Sequence, residues 1–463
     1  QPPHRAGARG SAELVEALVE SNRRWGLSVR EDVERWARGE AVTLVAGQQV
    51  GFAGGPLYTL AKLASLLKMK RDLEAEGAPA TVFFWLATED HDYAEVATAS
   101  FPVRDRQVDL VRLRATRHVD SKGIVGRAPI PEPLKHELLK FFGMSRPTWL
   151  REGVTFGESF AELIAQVVKE GVVLVDALLP ELRRAGAPLF ESIVARTEEV
   201  QQEIAGRSRA LSTAGYTPQV LAREGEPYTL LFRLDEKGNR QPFDGSALDP
   251  ETISTSALTR PLLQDAVLQP DVFVGGPAEV AYYAQIAGLY GLLGVQRPRV
   301  ALRGHALVAP HRVARYIERY DIDPVDVFSS ADEIIAEREP RGVGEIHAIT
   351  REAQQQLETA IQRIREVALP ADHALARSIN RSVGHIDYHF NKLSERAVRG
   401  LARKERERYA AVREVVATLY PDRHVQDRVV SWFGWWHQFG DRLLDRLVDE
   451  IEPDALSFAI VSL

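Results

Sequence analysis

The 463-residue sequence predicts an α/β protein: a parallel-sheet core carrying two insertions, followed by an antiparallel helical arm. Three patterns predict it. Val42 to Ala46 is a short apolar run that leads through a glycine loop into a helix carrying Leu60, Leu63, Leu66 and Leu67. Thr81 to Ala87 is a second apolar run, rich in aromatic and β-branched residues, and Gly77-Ala78-Pro79 breaks the helix before it. Strand, helix, strand with a right-handed crossover makes two neighbours of one parallel sheet. Far downstream, apolar residues from Ile346 to Val367 and from Ile379 to Ala397 recur at spacings of four and three, the seam of a coiled-coil hairpin.

Between these landmarks the pattern fills in. Residues 11–40 read as helical, with Leu14, Leu18, Trp25 and Trp36 as apolar positions. Residues 100–155 read as short polar strands with proline-rich turns. A helix and an apolar strand, Val172 to Asp176, follow, then a helical stretch over 181–212. Residues 214–249, with a turn at 235–239, read as a second set of short strands. A strand at 272–277 ends in Gly275-Gly276-Pro277, and 299–308 reads as one further strand. Leu369-Pro370-Ala371-Asp372 links the two arm helices, and 425–450 is a last helical segment whose Trp432, Trp435 and Trp436 read as core or interface. The expected division is a core over 1–335 with insertions at about 100–158 and 214–262, an arm over 336–418, and a segment over 419–463 that returns to the core.

Composition narrows the function. With 58 basic and 65 acidic residues the net charge is −7, which argues against bulk nucleic-acid binding. There is no apolar run of about 18 residues to span a membrane, and Gln1 to Gly10 lacks the apolar stretch of a signal peptide. No cysteine is present, which removes disulfides, thiolate metal sites and a cysteine nucleophile, and points to the cytoplasm.

Three loops carry candidate chemistry. Ligands of such sheets bind beyond the carboxyl ends of the strands, and the loop Gly47 to Thr59 lies there. Its glycines Gly51, Gly54 and Gly55 allow close approach, and Pro56 opens a helix whose N-terminus favours anions. Gln48, Gln49, Tyr58, Thr59 and Lys62 are its candidate binding residues; a purely structural turn needs no paired amides and phenol. The spacing is neither G-x-G-x-x-G nor a Walker pattern. The second loop, Glu89-Asp90-His91-Asp92, puts four ionisable groups at the end of a buried strand. His91 is a candidate base and the carboxylates are candidate ligands for Mg2+ or an ammonium group. The third repeats the logic of the first: Gly275, Gly276 and Pro277, then Glu279, Tyr282 and Gln285 on the following helix. Two such loops facing each other suit a nucleotide and a second substrate. His385 and His389 have the spacing of a metal pair but lack the glutamate of H-E-x-x-H, and Lys392-Leu393-Ser394 falls mid-helix; both read as features of the arm.

The loops arrive in a specific order. Gly47-Gln48-Gln49 with Gly55-Pro56-Leu57-Tyr58-Thr59 and Lys62 precede Glu89-Asp90-His91-Asp92, then Gly215-Tyr216 with Pro218-Gln219-Val220. Arg260-Pro261, Gln264-Asp265, Gly275-Gly276-Pro277 with Glu279, Tyr282 and Gln285, and Tyr420-Pro421 with Gln426-Asp427-Arg428 complete it. In this the chain resembles the bacillithiol-biosynthesis cysteine-adding family, BshC, over nearly its whole length. The resemblance implies a Rossmann-type core related to class I synthetases, two connecting insertions and an arm that helps form a homodimer. It implies a ligase adding L-cysteine to glucosaminyl malate. Joining a carboxylate to an amine requires activation of the carboxylate, so ATP is the expected co-substrate, lying between the first and third loops. Tyr58, Thr59 and Lys62 are then expected at phosphate, and Glu89 to Asp92 at the amine or acceptor. Two other readings stay open at this point: a nucleotide-fold binding or assembly protein without catalysis, and a related nucleotidyltransferase acting on another small acid.

Overall fold

The computed structural model describes residues 9–102, 110–115, 123–220, 228–236, 238–328, 343–368 and 375–463. The expected link Leu369-Pro370-Ala371-Asp372, Lys237 of the expected turn and residues 1–8 lie outside them. The chain divides into two compact units, residues 1–309 with 424–463, and residues 310–423. The division falls at 310, ahead of the expected boundary near 335, because the helix His311–Tyr320 packs on the long helix Leu375–Leu419.

Among the described residues the strands are, in order, β1 (Val42–Gln48), β2 (Ala80–Leu86), β3 (Thr98–Pro102), β4 (Leu110–Arg114), β5 (Val173–Asp176), β6 (Leu231–Leu234), β7 (Arg240–Pro242), β8 (Ile253–Thr255), β9 (Val272–Gly275), β10 (Arg299–Leu302), β11 (His305–Ala309) and β12 (Phe458–Ser462). Five form one parallel sheet in the order β10-β9-β1-β2-β5. Every residue of β1 and β2 is buried, as expected of strands covered on both faces. The chain leaves β1 towards β2 and β5, then returns to the other side of β1 for β9 and β10. The order therefore reverses between β1 and β9, which opens the ligand crevice of a doubly wound sheet at their carboxyl ends.

The helix Leu57–Ala75 crosses from β1 to β2 with Leu57, Leu60, Leu63 and Leu66 buried. Its start differs from the expected phosphate cradle. The Leu57 N–H donates to the Val430 carbonyl at 2.8 Å, so the returning C-terminal segment occupies the first helical donor. That segment also explains a glycine. Trp432 Nε1 donates to Gly54 O at 2.6 Å, and a Cβ on Gly54, whose φ is +82°, would lie 2.2 Å from the indole. Gly54 is thus required by the tryptophan packed on it. Gln426 fixes the segment by bonding both polar groups of Val308, its Oε1 accepting at 2.7 Å and its Nε2 donating at 3.0 Å.

Several expected elements are redrawn. The strand expected over 299–308 is two strands in different sheets: Arg303-Gly304 breaks it, and β11 pairs with β12, a strand the helical reading of the C-terminus did not include. Within 100–155, β3 and β4 pair antiparallel, but Glu132–Phe142 is a helix that the proline-rich setting obscured; Leu134 and Leu138 are its buried apolar positions. The helical stretch over 181–212 is three helices, Pro180–Ala185, Ala187–Ala195 and Thr197–Thr213. The second insertion forms an antiparallel sheet, β7-β6-β8.

Behind β9, Asp265 is fully buried and accepts from Tyr290 at 2.6 Å, Tyr283 at 3.1 Å and Gln264 at 3.0 Å. Burial nonetheless pushes its pKa up to about 6. A folded pKa above the ordinary 3.8 means this carboxyl contributes stability below about 3.8 that is lost as pH rises through 6. Asp265→Asn is expected to gain on the order of 3 kcal/mol relative to the native protein between pH 4 and 7, read from the thermal midpoints of both proteins across that range.

In the second unit the helices Val343–Ala368 and Leu375–Leu419 pair along a seam. Thr350 bonds Ser394 at 2.9 Å, Gln354 bonds Asn391 at 2.9 Å and Arg365 bonds Asn380 at 2.6 Å, so partner numbers fall as the first helix advances and the pair is antiparallel. Ser394 and Lys392, which bonds Tyr388 at 2.9 Å, serve the arm itself. Ile349, Ile364, Val367, Ile386 and Leu393 stay exposed along it. Among the described residues no helix is long and apolar enough to cross a membrane.

Candidate functional site

The crevice between β1 and β9 holds a cavity of about 400 Å³. Lys62 ties its two walls together. From the helix after β1, its buried ammonium donates to Gly47 O at 2.7 Å and Gln48 Oε1 at 3.0 Å, and pairs with Glu279 on the helix after β9. Glu279 Oε2 also accepts the Gly276 N–H at 2.8 Å, so the Gly-Gly-Pro loop is braced by its own helix. Tyr282 donates to Glu279 at 3.3 Å and accepts from Arg260 at 2.6 Å. The first and third predicted loops therefore meet, through Lys62 and Glu279. Burial pushes the Lys62 ammonium down while the Glu279 charge opposes it. Burial would raise Glu279, but Lys62 and the Gly276 N–H hold it below the usual range. Tyr58, which accepts from Gln48 at 3.4 Å, is pushed up to about 12 by burial and by the Glu95 charge.

The acidic loop splits by role. Glu89 is 3% exposed and accepts four hydrogen bonds: from Arg183 at 2.7 Å, Ser254 Oγ at 2.8 Å, the Thr255 N–H at 3.0 Å and Thr255 Oγ1 at 2.8 Å. It clamps the end of β2 to the helix after β5 and to β8 of the second insertion. Burial would raise it, but Arg183 and Thr255 hold it below the usual range. Asp90 accepts from Gln49 at 2.6 Å and from the peptide N–H groups of His91 at 2.6 Å and Asp92 at 3.2 Å. These donors, with the His91 ring, outweigh burial and hold its carboxyl well below the usual range. His91 Nδ1 lies 3.1 Å from Arg240 Nη1 and 3.5 Å from Asp90 Oδ1. Between the Arg240 donor and the Asp90 carboxylate, the role of Nδ1 follows the tautomer of the ring. Asp92 caps a short helix by accepting the Glu95 N–H at 3.0 Å.

Sequence reasoning missed the cations. Arg240, Arg260, Arg303 and Arg428 all line this cavity. Arg303 is held by Asp427 at 2.7 Å, and Arg240 stacks on Phe232 at 4.0 Å. Among the described residues, Arg240 Nε and Arg303 Nε are buried with no hydrogen-bond partner. Arg260 and Arg428 stood inside the quoted family pattern; in a chain rich in arginine nothing set Arg240 apart.

Of the predicted residues, Gln48, Gln49, Tyr58, Lys62, Glu89, Asp90, His91, Gly276, Pro277, Glu279 and Tyr282 line this cavity. Gly51, Gly55 and Pro56 line a neighbouring one. Gly54, Thr59, Asp92, Gly275 and Gln285 line neither. Thr59 is fully buried, and Gln285 bonds both polar groups of Val220, donating at 2.7 Å and accepting at 3.2 Å, so it anchors the Pro218-Gln219-Val220 segment. Among the described residues no group of three or more His, Cys, Asp or Glu side chains is placed to hold a metal ion.

Comparison with known proteins accounts for this architecture. Residues 3–247 and 243–304 match the family model described as the N-terminal Rossmann-like domain of bacillithiol biosynthesis BshC. Residues 306–463 match that family's C-terminal coiled-coil domain. A Solibacter usitatus protein named "Putative cysteine ligase BshC" is 31% identical over 93% of this chain and 86% of its own length. Proteins with the same name from Koribacter versatilis, 30% identical over 94% of this chain and 87% of their own, and from Salinibacter ruber, 24% identical over 100% and 92%, are also similar. The chain belongs to the bacillithiol biosynthesis BshC family.

Proposed function

We propose that this protein is an ATP-dependent ligase that joins the carboxyl group of L-cysteine to the amine of glucosaminyl malate. The observation that carries the reading is the set of four arginines, Arg240, Arg260, Arg303 and Arg428, lining a cavity at the reversal of strand order. Four guanidinium groups around a cavity of this size suit a polyphosphate. ATP supplies the activation that a carboxylate needs before an amine can displace its oxygen. Arg240 and Arg303 bind phosphate oxygens, Arg260 holds Tyr282 against the third loop, and Lys62 with Glu279 keeps the two loops in register. The donor set does not fit a protein-held metal, and no step depends on one.

The exposed apolar residues of the arm, Ile349, Ile364, Ile386 and Leu393 among them, support its burial against a second copy of the chain. A chain of 463 residues without cysteine cannot form mixed disulfides with its own thiol substrate or product, which supports action in the cytoplasm. The test is the purified protein with ATP, L-cysteine and glucosaminyl malate. The expected result is bacillithiol by mass spectrometry with one nucleotide consumed per thiol formed. Thiol formed without nucleotide consumption overturns the activation scheme.

A further inference from the structure

A second cavity, of about 430 Å³, shares Gln48, Gln49, Tyr58 and Arg428 with the first. One side is the glycine loop. The other is the β3–β4 hairpin, where Arg112 pairs across from Ser100 and Arg114 from Thr98. Alternation along a strand puts both arginines on one face, and both line the cavity with Arg428. One carboxyl, Glu95, also lines it. Burial and the charges of Asp92 and Asp90 raise its pKa, and the Gln49 side chain opposes them. Its charge reaches Tyr58 in the wall common to both cavities.

Three guanidinium groups and one carboxyl lining a single cavity match a molecule with carboxylates at one end and an amine at the other. We propose that the second cavity is the acceptor subsite, where Arg112, Arg114 and Arg428 hold the carboxylates of an aminated dicarboxylate and Glu95 takes the proton from its ammonium group. This rests on the ligase reading of the first cavity, and glucosaminyl malate carries both groups. The proton passes from nitrogen to the Glu95 carboxylate. The freed lone pair attacks the activated carboxyl carbon of cysteine across the shared wall. The C–N bond forms, the C–O bond to the phosphoryl-bearing leaving group breaks, and that group departs with the bonding pair and takes up the second proton lost from nitrogen. A glutamate with a raised pKa is the better proton acceptor for this step.

Two variants of the full chain test it. Glu95→Gln is expected to lower kcat at least about 100-fold, to leave KM for ATP and cysteine unchanged, and to remove the acidic limb of the kcat pH profile. Arg112→Met with Arg114→Met is expected to raise KM for glucosaminyl malate about tenfold or more, with ATP affinity unchanged by calorimetry. If the native protein turns over all three substrates and both variants match it, or if the arginine variant weakens ATP and not the acceptor, the subsite is overturned while the ligase reading stands. If the native protein consumes no nucleotide with all three substrates present, the ligase reading itself fails.

Discussion

Glu89→Ala lowers the unfolding free energy by about 3–5 kcal/mol and weakens ATP binding, although Glu89 stands in the loop with the densest set of ionisable groups. The loss comes from Arg183, which is 1% exposed and is left as an unpaired buried cation, and from Ser254 and Thr255, which lose their acceptor. Because Glu89 holds β8, its removal also frees the second insertion, which carries Arg240 into the cavity. Denaturant unfolding measures the first effect and calorimetric titration with ATP the second. The sign with pH is fixed too. Burial acts to raise Glu89, but the Arg183 and Thr255 interactions leave its folded pKa below the ordinary 4.5. Its contribution is therefore present above 4.5 and lost as pH falls through the folded value. The native protein loses stability on that acidification and Glu89→Ala does not share the loss. A substitution that leaves the unfolding midpoint unchanged contradicts the clamp.

Arg240→Met weakens ATP by about 10- to 150-fold, the worth of one charge-assisted hydrogen bond at about 1.5–3 kcal/mol. Methionine keeps an apolar contact on Phe232, on which the guanidinium now stacks at 4.0 Å, and gives up the hydrogen bond to the Thr255 carbonyl, so the fold is expected to survive with a slightly lower thermal midpoint. The variant also releases His91 Nδ1, now 3.1 Å from Arg240 Nη1. Unchanged ATP affinity in a folded variant removes Arg240 from the nucleotide site.

The parallel sheet was legible because its strands are buried on both faces and read as unbroken apolar runs. The arm was legible because its seam repeats. What escaped has physical causes. Arg303-Gly304 carries no turn signature strong enough to divide an apolar run over 299–308, and the division depends on pairing with β12, more than 150 residues away in sequence. In the site, residue type was a sound guide to position and a poor guide to role. Glu89, Asp92 and Gln285 are polar groups in or beside the expected loops, yet each is spent on holding the fold, and Asp92 and Gln285 line neither cavity. Gly54 is a glycine because Trp432 lies on it, a contact that no local pattern encodes. Conversely Glu95 and Arg240, which face the cavities, stand on short elements of the chain with nothing nearby to distinguish them.

The central claim is that cysteine is activated through its own carboxyl oxygen in the crevice between β1 and β9. L-Cysteine labelled with 18O in its carboxylate, turned over with ATP and glucosaminyl malate, tests it most directly. One labelled oxygen is expected in the phosphate-bearing product, AMP or inorganic phosphate, for each bacillithiol formed. Bacillithiol formed with no label in either product contradicts the account.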